Sequence, residues 1–196
     1  MLQNMKKNMK KELPLFPAYW YWESAIPDYL IQCLNEESKH VVFGKGSTFS
    51  SAAEGREESK EIRDSDVMMF DPIHWFCGIL FNMSLHANRN AEWNYSILGP
   101  QTLQIAHYNV GQHYDWHSDS MLLSKEEIIR KLSVICMLSD KSEYEGGVLE
   151  LEGVGEMPLN KGDVLVFPSF LRHRVTPVTN GLRKTAVVWI DGYRSS

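Results

Sequence analysis

Four residues of the stretch "HYDWHSD", His113, Asp115, His117 and Asp119, are of types that bind metal ions. Two arrangements would use them differently. On a helix, His113 and His117 lie one turn apart, as in the HExxH zinc pair whose glutamate is the general base. Here Tyr114 holds the glutamate's position, and Gly111 opens the run beside a β-rich stretch, which argues against a helix. On an extended chain, side chains two apart share a face, roughly 7 Å from each other. His117 and Asp119 then form an HxD pair. So do His113 and Asp115, and parity alone does not choose between them.

Two histidines and one carboxylate make the facial triad of non-haem iron(II) sites, which leaves positions open for substrate and oxygen. The second half of the chain offers one histidine outside this stretch and its lead-in strand, His173, just after "GDVLVFPSFLR". In a jelly roll its strand can return beside the first. Ten residues further on, Arg183 opens the last apolar strand, where Arg183, Thr185, Val187 and Trp189 share one face. A guanidinium pointing into an apolar barrel is costly unless an anion meets it, and its forked donors suit a carboxylate. A metal triad and a carboxylate-binding arginine together call for a ligand with two acidic ends. 2-Oxoglutarate is such a ligand.

"YNVGQHYDWHSD" followed by "HRVTPVTNGLRKTAVVWI" resembles the prolyl 4-hydroxylase type of iron(II)/2-oxoglutarate oxygenase, and "EIRDSDV", with Arg63 and Ser65, is similar to a family element upstream of the barrel. The resemblance implies a double-stranded β-helix, or jelly roll, with helices packed on the major sheet. It implies His117, Asp119 and His173 as iron ligands, and Arg183 and Tyr108 as contacts of 2-oxoglutarate. Tyr114, Arg130, Trp189 and Arg63 would line the substrate side. Dioxygen is the co-reactant it implies, with ascorbate as an auxiliary reductant. Met137 and Val187 depart from the family pattern, which affects the finer hydrogen bonding of the cosubstrate. Related halogenases carry a small residue at the position of Asp119, so an aspartate implies hydroxylation. The substrate it implies is a prolyl residue of a peptide or protein. An oxygenase of a free amino acid or small metabolite is the first alternative, and a non-catalytic metal-binding jelly roll the second.

These residues need a scaffold, and the chain divides into two kinds of segment. "LQIAHYNV", "KLSVICML", "GVLELEG", "DVLVFP", "HRVTPVT" and "KTAVVWI" are short and rich in branched apolar residues, with turn signals such as "NKGD" and "TNG" between them. Such spacing predicts an antiparallel sandwich or barrel. The first half carries helical signals. "SAIPDYLIQCLNEESKH" has Pro27 near a helix start and Tyr29, Leu30, Cys33 and Leu34 on one stripe. "DPIHWFCGILFNMSLHANRN" begins with Asp71 and Pro72 as cap and first helical residue, and reads as a mostly buried helix. Helices followed by strands make an α+β order.

The 196 residues suffice for one domain, expected over 14–196 behind a flexible tail at 1–13. The polar segment 44–66 is expected to be mobile and is a candidate lid. A net charge of −5 argues against a dedicated nucleic-acid binder. No run is apolar enough to suggest a membrane span, and the basic N-terminus has no secretory h-region. Cys33, Cys77 and Cys136 read as buried free thiols of a reducing compartment. A cytoplasmic protein is expected.

Overall fold

Along β14 (Arg183–Tyr193) the side chains serve two environments. Ala186, Val188 and Ile190 enter the core beneath the helices, while Arg183, Thr185, Val187 and Trp189 line a cleft on the opposite face. β7 (Ile128–Met137) and β11 (Val164–Pro168) divide in the same way. Leu132, Val134, Cys136, Val164 and Val166 join the helix-side core. Ile135, Met137, Leu165 and Phe167 join a second apolar cluster across the sheet. A sheet packed on both faces requires this double use of the period-two pattern.

The computed structural model describes residues 17–46, 62–120 and 126–194. The major sheet adds β1 (Trp20–Trp22), β2 (Gly44–Lys45), β4 (Asp66–Phe70) and β5 (Ile97–Tyr108), in the order β1-β11-β7-β14-β5-β4-β2. Facing it is a minor sheet of β3 (Arg63–Asp64), β6 (His113–His117), β9 (Leu149–Leu151), β10 (Gly155–Met157) and β12 (His173–Val175), in the order β10-β9-β12-β6-β3. β8 (Tyr144–Gly146) and β13 (Val178–Gly181) form a separate two-stranded ribbon. The pairings given are all antiparallel. The architecture is the expected double-stranded β-helix, and among the described residues two helices pack on the outer face of the major sheet.

The helices differ in detail from the sequence expectation. α1 (Asp28–Ser38) has Pro27 at its N-cap, as foreseen, but it buries Ile31, Leu34 and Ser38. Tyr29 and Cys33 are exposed. The row that faces the core runs 31, 34, 38, so Tyr29 and Cys33 fall off it. Cys77 and Cys136 are buried, and none of the three cysteines is in a disulfide. α2 (Trp75–Asn90; the second helix) starts later than Asp71. Its cap is His74, whose Nδ1 accepts from the Phe76 N–H at 3.3 Å. Asp71 and Pro72 belong to a turn before it, closed by Ile73 N–H to the Asp71 carboxylate and His74 N–H to the Asp71 carbonyl. The helix is amphipathic, with Phe76, Cys77, Leu80, Ser84 and Ala87 inward and Leu85 exposed, so "mostly buried" overstated it.

The first half also holds strands that its helical signals hid, β4 above all, which pairs with β5 over Asp66–Phe70. β2 pairs with β4, so the two ends of segment 44–66 lie side by side. The tail at 1–13 and the middle of the candidate lid, 47–61, lie outside the described residues. One buried carboxylate ties β1 to the turn before β11. Asp163 is fully buried and accepts from the Tyr21 hydroxyl, the Ser24 N–H (2.8 Å) and the Asn160 N–H (2.7 Å).

Candidate metal and cosubstrate site

His173 on β12 is the cross-strand partner of His117 on β6, their ring centroids 4.1 Å apart. Asp119 follows two residues after His117. Its Oδ1 lies 3.6 Å from His117 Nε2 and its Oδ2 3.5 Å from His173 Nε2. The three ligand atoms sit within 4.8 Å of one another, a span that one ion can bridge. Among the described residues this is the group of histidine and acidic side chains that can hold a metal.

A β-bulge selects His117 over His113. On β12 the step from His173 to Val175 is two residues; on β6 the matching step from His117 to Tyr114 is three. The extra residue breaks the simple alternation and re-aims the side chains on either side of it. His117 and Tyr114 therefore turn to the same side and stack, with centroids 3.4 Å apart and planes 8° from parallel. Asp115 points out to solvent. His113 pairs with Asp64 at the far end of β6 and lies outside the cluster.

Both imidazoles are oriented by backbone. His117 Nδ1 donates to the Asp115 carbonyl at 2.7 Å and His173 Nδ1 to the Leu171 carbonyl at 3.0 Å. A carbonyl oxygen only accepts, so each Nδ1 carries the proton and each Nε2 keeps a bare lone pair toward the shared point. Burial pushes the His173 pKa down to about 4, leaving it neutral near pH 7. Burial alone would raise the Asp119 carboxyl, but His173, His117 and the Ser133 hydroxyl hold it well below the usual carboxylate range. One carboxylate and two imidazoles are a fitting set for a divalent iron ion.

The cluster opens into a cleft whose walls include Arg63, Tyr108, Tyr114, Trp189 and Arg183. Arg183 is 1% exposed, stands opposite Tyr108 in the β5–β14 register, and places its guanidinium carbon 5.3 Å from the Tyr108 ring centre. Tyr144 is a further neighbour, which interacts with the guanidinium through its hydroxyl. Arg183 Nε is buried with no acceptor, and so is Trp189 Nε1. A buried donor without a partner is costly, so both positions suit a ligand that brings oxygen atoms. Gly147 makes room for the arginine stem: its φ is +56°, and a Cβ there would lie 2.7 Å from Arg183 Cδ.

Arg63 and Arg130 occupy different places. Arg63 is buried, bonds Ser65 Oγ at 2.9 Å and Gln104 Oε1 at 3.2 Å, and covers the Tyr114 ring at 4.7 Å. Arg130 does not line the cleft. It lies behind it, its guanidinium 4.0 Å from the Trp189 ring centre and its Nε bonded to Gln101. Sequence reasoning missed Tyr144, Gly147 and Ser133. Ser133 had a legible signal, being a hydroxyl on the same row of β7 as Ile135 and Met137.

Residues 103–191 match the family described as the 2OG-Fe(II) oxygenase superfamily. The match covers a little under half of the chain. The matched span holds the whole His117–Asp119–His173 cluster, along with Arg183 and Trp189. A PKHD-type hydroxylase of Teredinibacter turnerae is 39% identical over 90 residues, which are 43% of this chain and 40% of that protein. The chain thus spans about two-fifths of the length of the curated relatives it matches. The structure of a viral collagen prolyl hydroxylase from Paramecium bursaria Chlorella virus-1, a 2OG complex, superposes with a TM-score of 0.68 at 17% identity, covering 90% of this chain and 97% of that one. A prolyl hydroxylase of Trichoplax adhaerens, in complex with a hypoxia inducible factor peptide fragment, gives 0.65 at 20% identity over 91% and 84% of the two chains. These likenesses establish the jelly-roll fold. No helix among the described residues is long and apolar enough to cross a membrane.

Proposed function

We propose that the protein is an iron(II)- and 2-oxoglutarate-dependent dioxygenase that hydroxylates a prolyl residue of a peptide or protein. The observation that carries this reading is one cleft with a His117–Asp119–His173 cluster in its wall and a buried, partly unpaired Arg183 in the same lining. A diacid fits both features at once. His117, Asp119 and His173 hold the iron by three ligand atoms. Arg183, with Tyr108 beside it, receives the distal carboxylate of the cosubstrate. When bound, the iron supplies the redox chemistry, in which 2-oxoglutarate and dioxygen give succinate, carbon dioxide and one oxygen atom inserted into a C–H bond.

The chain's own residues position and shield. The backbone carbonyls of Asp115 and Leu171 keep both Nε2 lone pairs directed at the ion. Leu149, Val175, Ile135 and Val187 form an apolar part of the wall that excludes water. Trp189 offers an aromatic face for a prolyl ring, with Arg130 behind it, and Tyr114 offers its ring edge, since His117 and Arg63 cover its faces. The peptide-bound Trichoplax relative and the PKHD-type hydroxylases support the choice of substrate class. A single domain over 14–196 accommodates the whole site, ascorbate would serve as an auxiliary reductant, and the free thiols suit a reducing, cytoplasmic setting. The test has two steps. Anaerobic addition of Fe(II) and 2-oxoglutarate should give a weak visible charge-transfer band that neither gives alone. A peptide library with mass detection should then show prolyl peptides gaining one oxygen atom. No band, with iron bound, refutes the cosubstrate assignment; a band with no modified prolyl peptide refutes the substrate.

A further inference from the structure

Ser133 and Ser169 lie at two interior positions of neighbouring strands, where the surrounding row is apolar. Ser133 shares the inward row of β7 with Ile135 and Met137, and Ser169 continues the inward row of Leu165 and Phe167 just past β11. Both are 0% exposed. Ser133 Oγ lies 2.6 Å from Asp119 Oδ2, and the two hydroxyl oxygens are 3.0 Å apart. The proton order follows from valence. Ionised Asp119 can only accept, so Ser133 spends its one proton on Oδ2, and Ser169 must donate to Ser133. The backbone of Ser169 grips the same turn. Its carbonyl accepts from Asp119 N–H, Ser120 N–H and Ser118 Oγ–H, each at 3.0 Å.

We propose that Ser133, backed by Ser169, is a positioning residue that fixes the rotation of the Asp119 carboxylate toward the metal. This rests on the oxygenase reading of the site. The hydroxyl holds Oδ2, which lies 3.5 Å from His173 Nε2, while Oδ1 lies 3.6 Å from His117 Nε2. With one oxygen anchored by a buried donor, the carboxylate cannot turn about its Cβ–Cγ bond without stranding the Ser133 proton, which is costly.

The test reads metal binding on the full chain, apart from turnover. Isothermal titration with Co(II) is compared for the wild type, Ser133→Ala, Ser133→Thr and Ser169→Ala. Loss of a partner that orients a metal ligand weakens binding about 10- to 100-fold, and that loss is expected in Ser133→Ala. Ser133→Thr, which keeps the hydroxyl, should restore affinity toward wild type; Ser169→Ala should fall between. Wild-type affinity in a folded Ser133→Ala protein overturns the proposal. If that variant does not fold, Ser133→Cys, near in shape but a weak donor, takes its place, and unchanged affinity there overturns it equally. Tight Co(II) binding by the wild type without any 2-oxoglutarate band would sink the oxygenase reading and leave the serine result interpretable.

Discussion

The phenol ring of Tyr114 lies flat on the imidazole of His117, 3.4 Å between centroids, and the guanidinium of Arg63 covers its other face. The stack exists because one extra residue in β6 turns both rings to the same side. Stacked aromatic pairs contribute about 0.5–1.5 kcal/mol beyond their buried area. Tyr114→Leu should therefore weaken Co(II) binding roughly 2- to 10-fold, and Tyr114→Phe should not. Equal affinities in the two variants would mean that the stack does not orient His117.

Removing a ligand should be far more severe. His117→Ala, Asp119→Ala and His173→Ala should each abolish 2-oxoglutarate turnover and deplete bound iron, measured by elemental analysis. His113→Ala should retain both, since His113 lies outside the cluster. Iron loss confined to the His113 variant would reverse the assignment.

Arg183→Ala should raise the KM for 2-oxoglutarate by roughly 10- to 100-fold, because a charged hydrogen bond is worth about 1.5–3 kcal/mol. Arg183→Lys keeps the charge and loses the fork, so its rise should be smaller. The check is steady-state succinate release at saturating iron and substrate.

Gly147→Ala isolates the arginine's placement from its charge. The added Cβ would press on Arg183 Cδ and on Val178 Cγ2, at a positive φ that favours glycine. Weaker 2-oxoglutarate binding with unchanged Co(II) affinity is the expected pair of results. A loss of both would show that the strain spreads to the metal cluster.

Away from the site, Asp163→Ala should lower Tm by roughly 6–12 °C, since it removes the buried acceptor of three hydrogen bonds at a cost of about 3 kcal/mol. Tyr21, Ser24 and Asn160 are the partners left behind. A calorimetric scan measures it.

The strands of the second half were legible because alternation leaves a mark in composition. The row Arg183, Thr185, Val187, Trp189 could be read directly, and it does line the cleft. The choice between His113 and His117 was not legible from parity. A bulge adds a residue without any fixed sequence mark, and here it reverses the alternation between Tyr114 and His117. β4 was hidden for another reason. Its "DVMMF" is short and adjoins a helical run, and its pairing with β5 is a tertiary contact that local pattern cannot register. The start of α2 was misplaced because Asp71 spends its cap on its own turn. Ser133 alone broke an apolar row visibly enough to have been noticed.

The double use of β14 also bears on how such a chain can vary in length. Its inward row meets the site and its outward row meets the helices. Losing or gaining one residue between Arg183 and Val188 would exchange the rows beyond that point, because a single-residue slip turns every side chain to the other face. Branched apolar groups would then face the cleft, and the cleft-facing residues beyond the slip would lie beneath the helices. Two residues would have to enter or leave together to keep the faces matched. Length variation among proteins of this architecture should therefore gather in turns such as the one at Gly153, and leave this strand fixed in count even where its residues change.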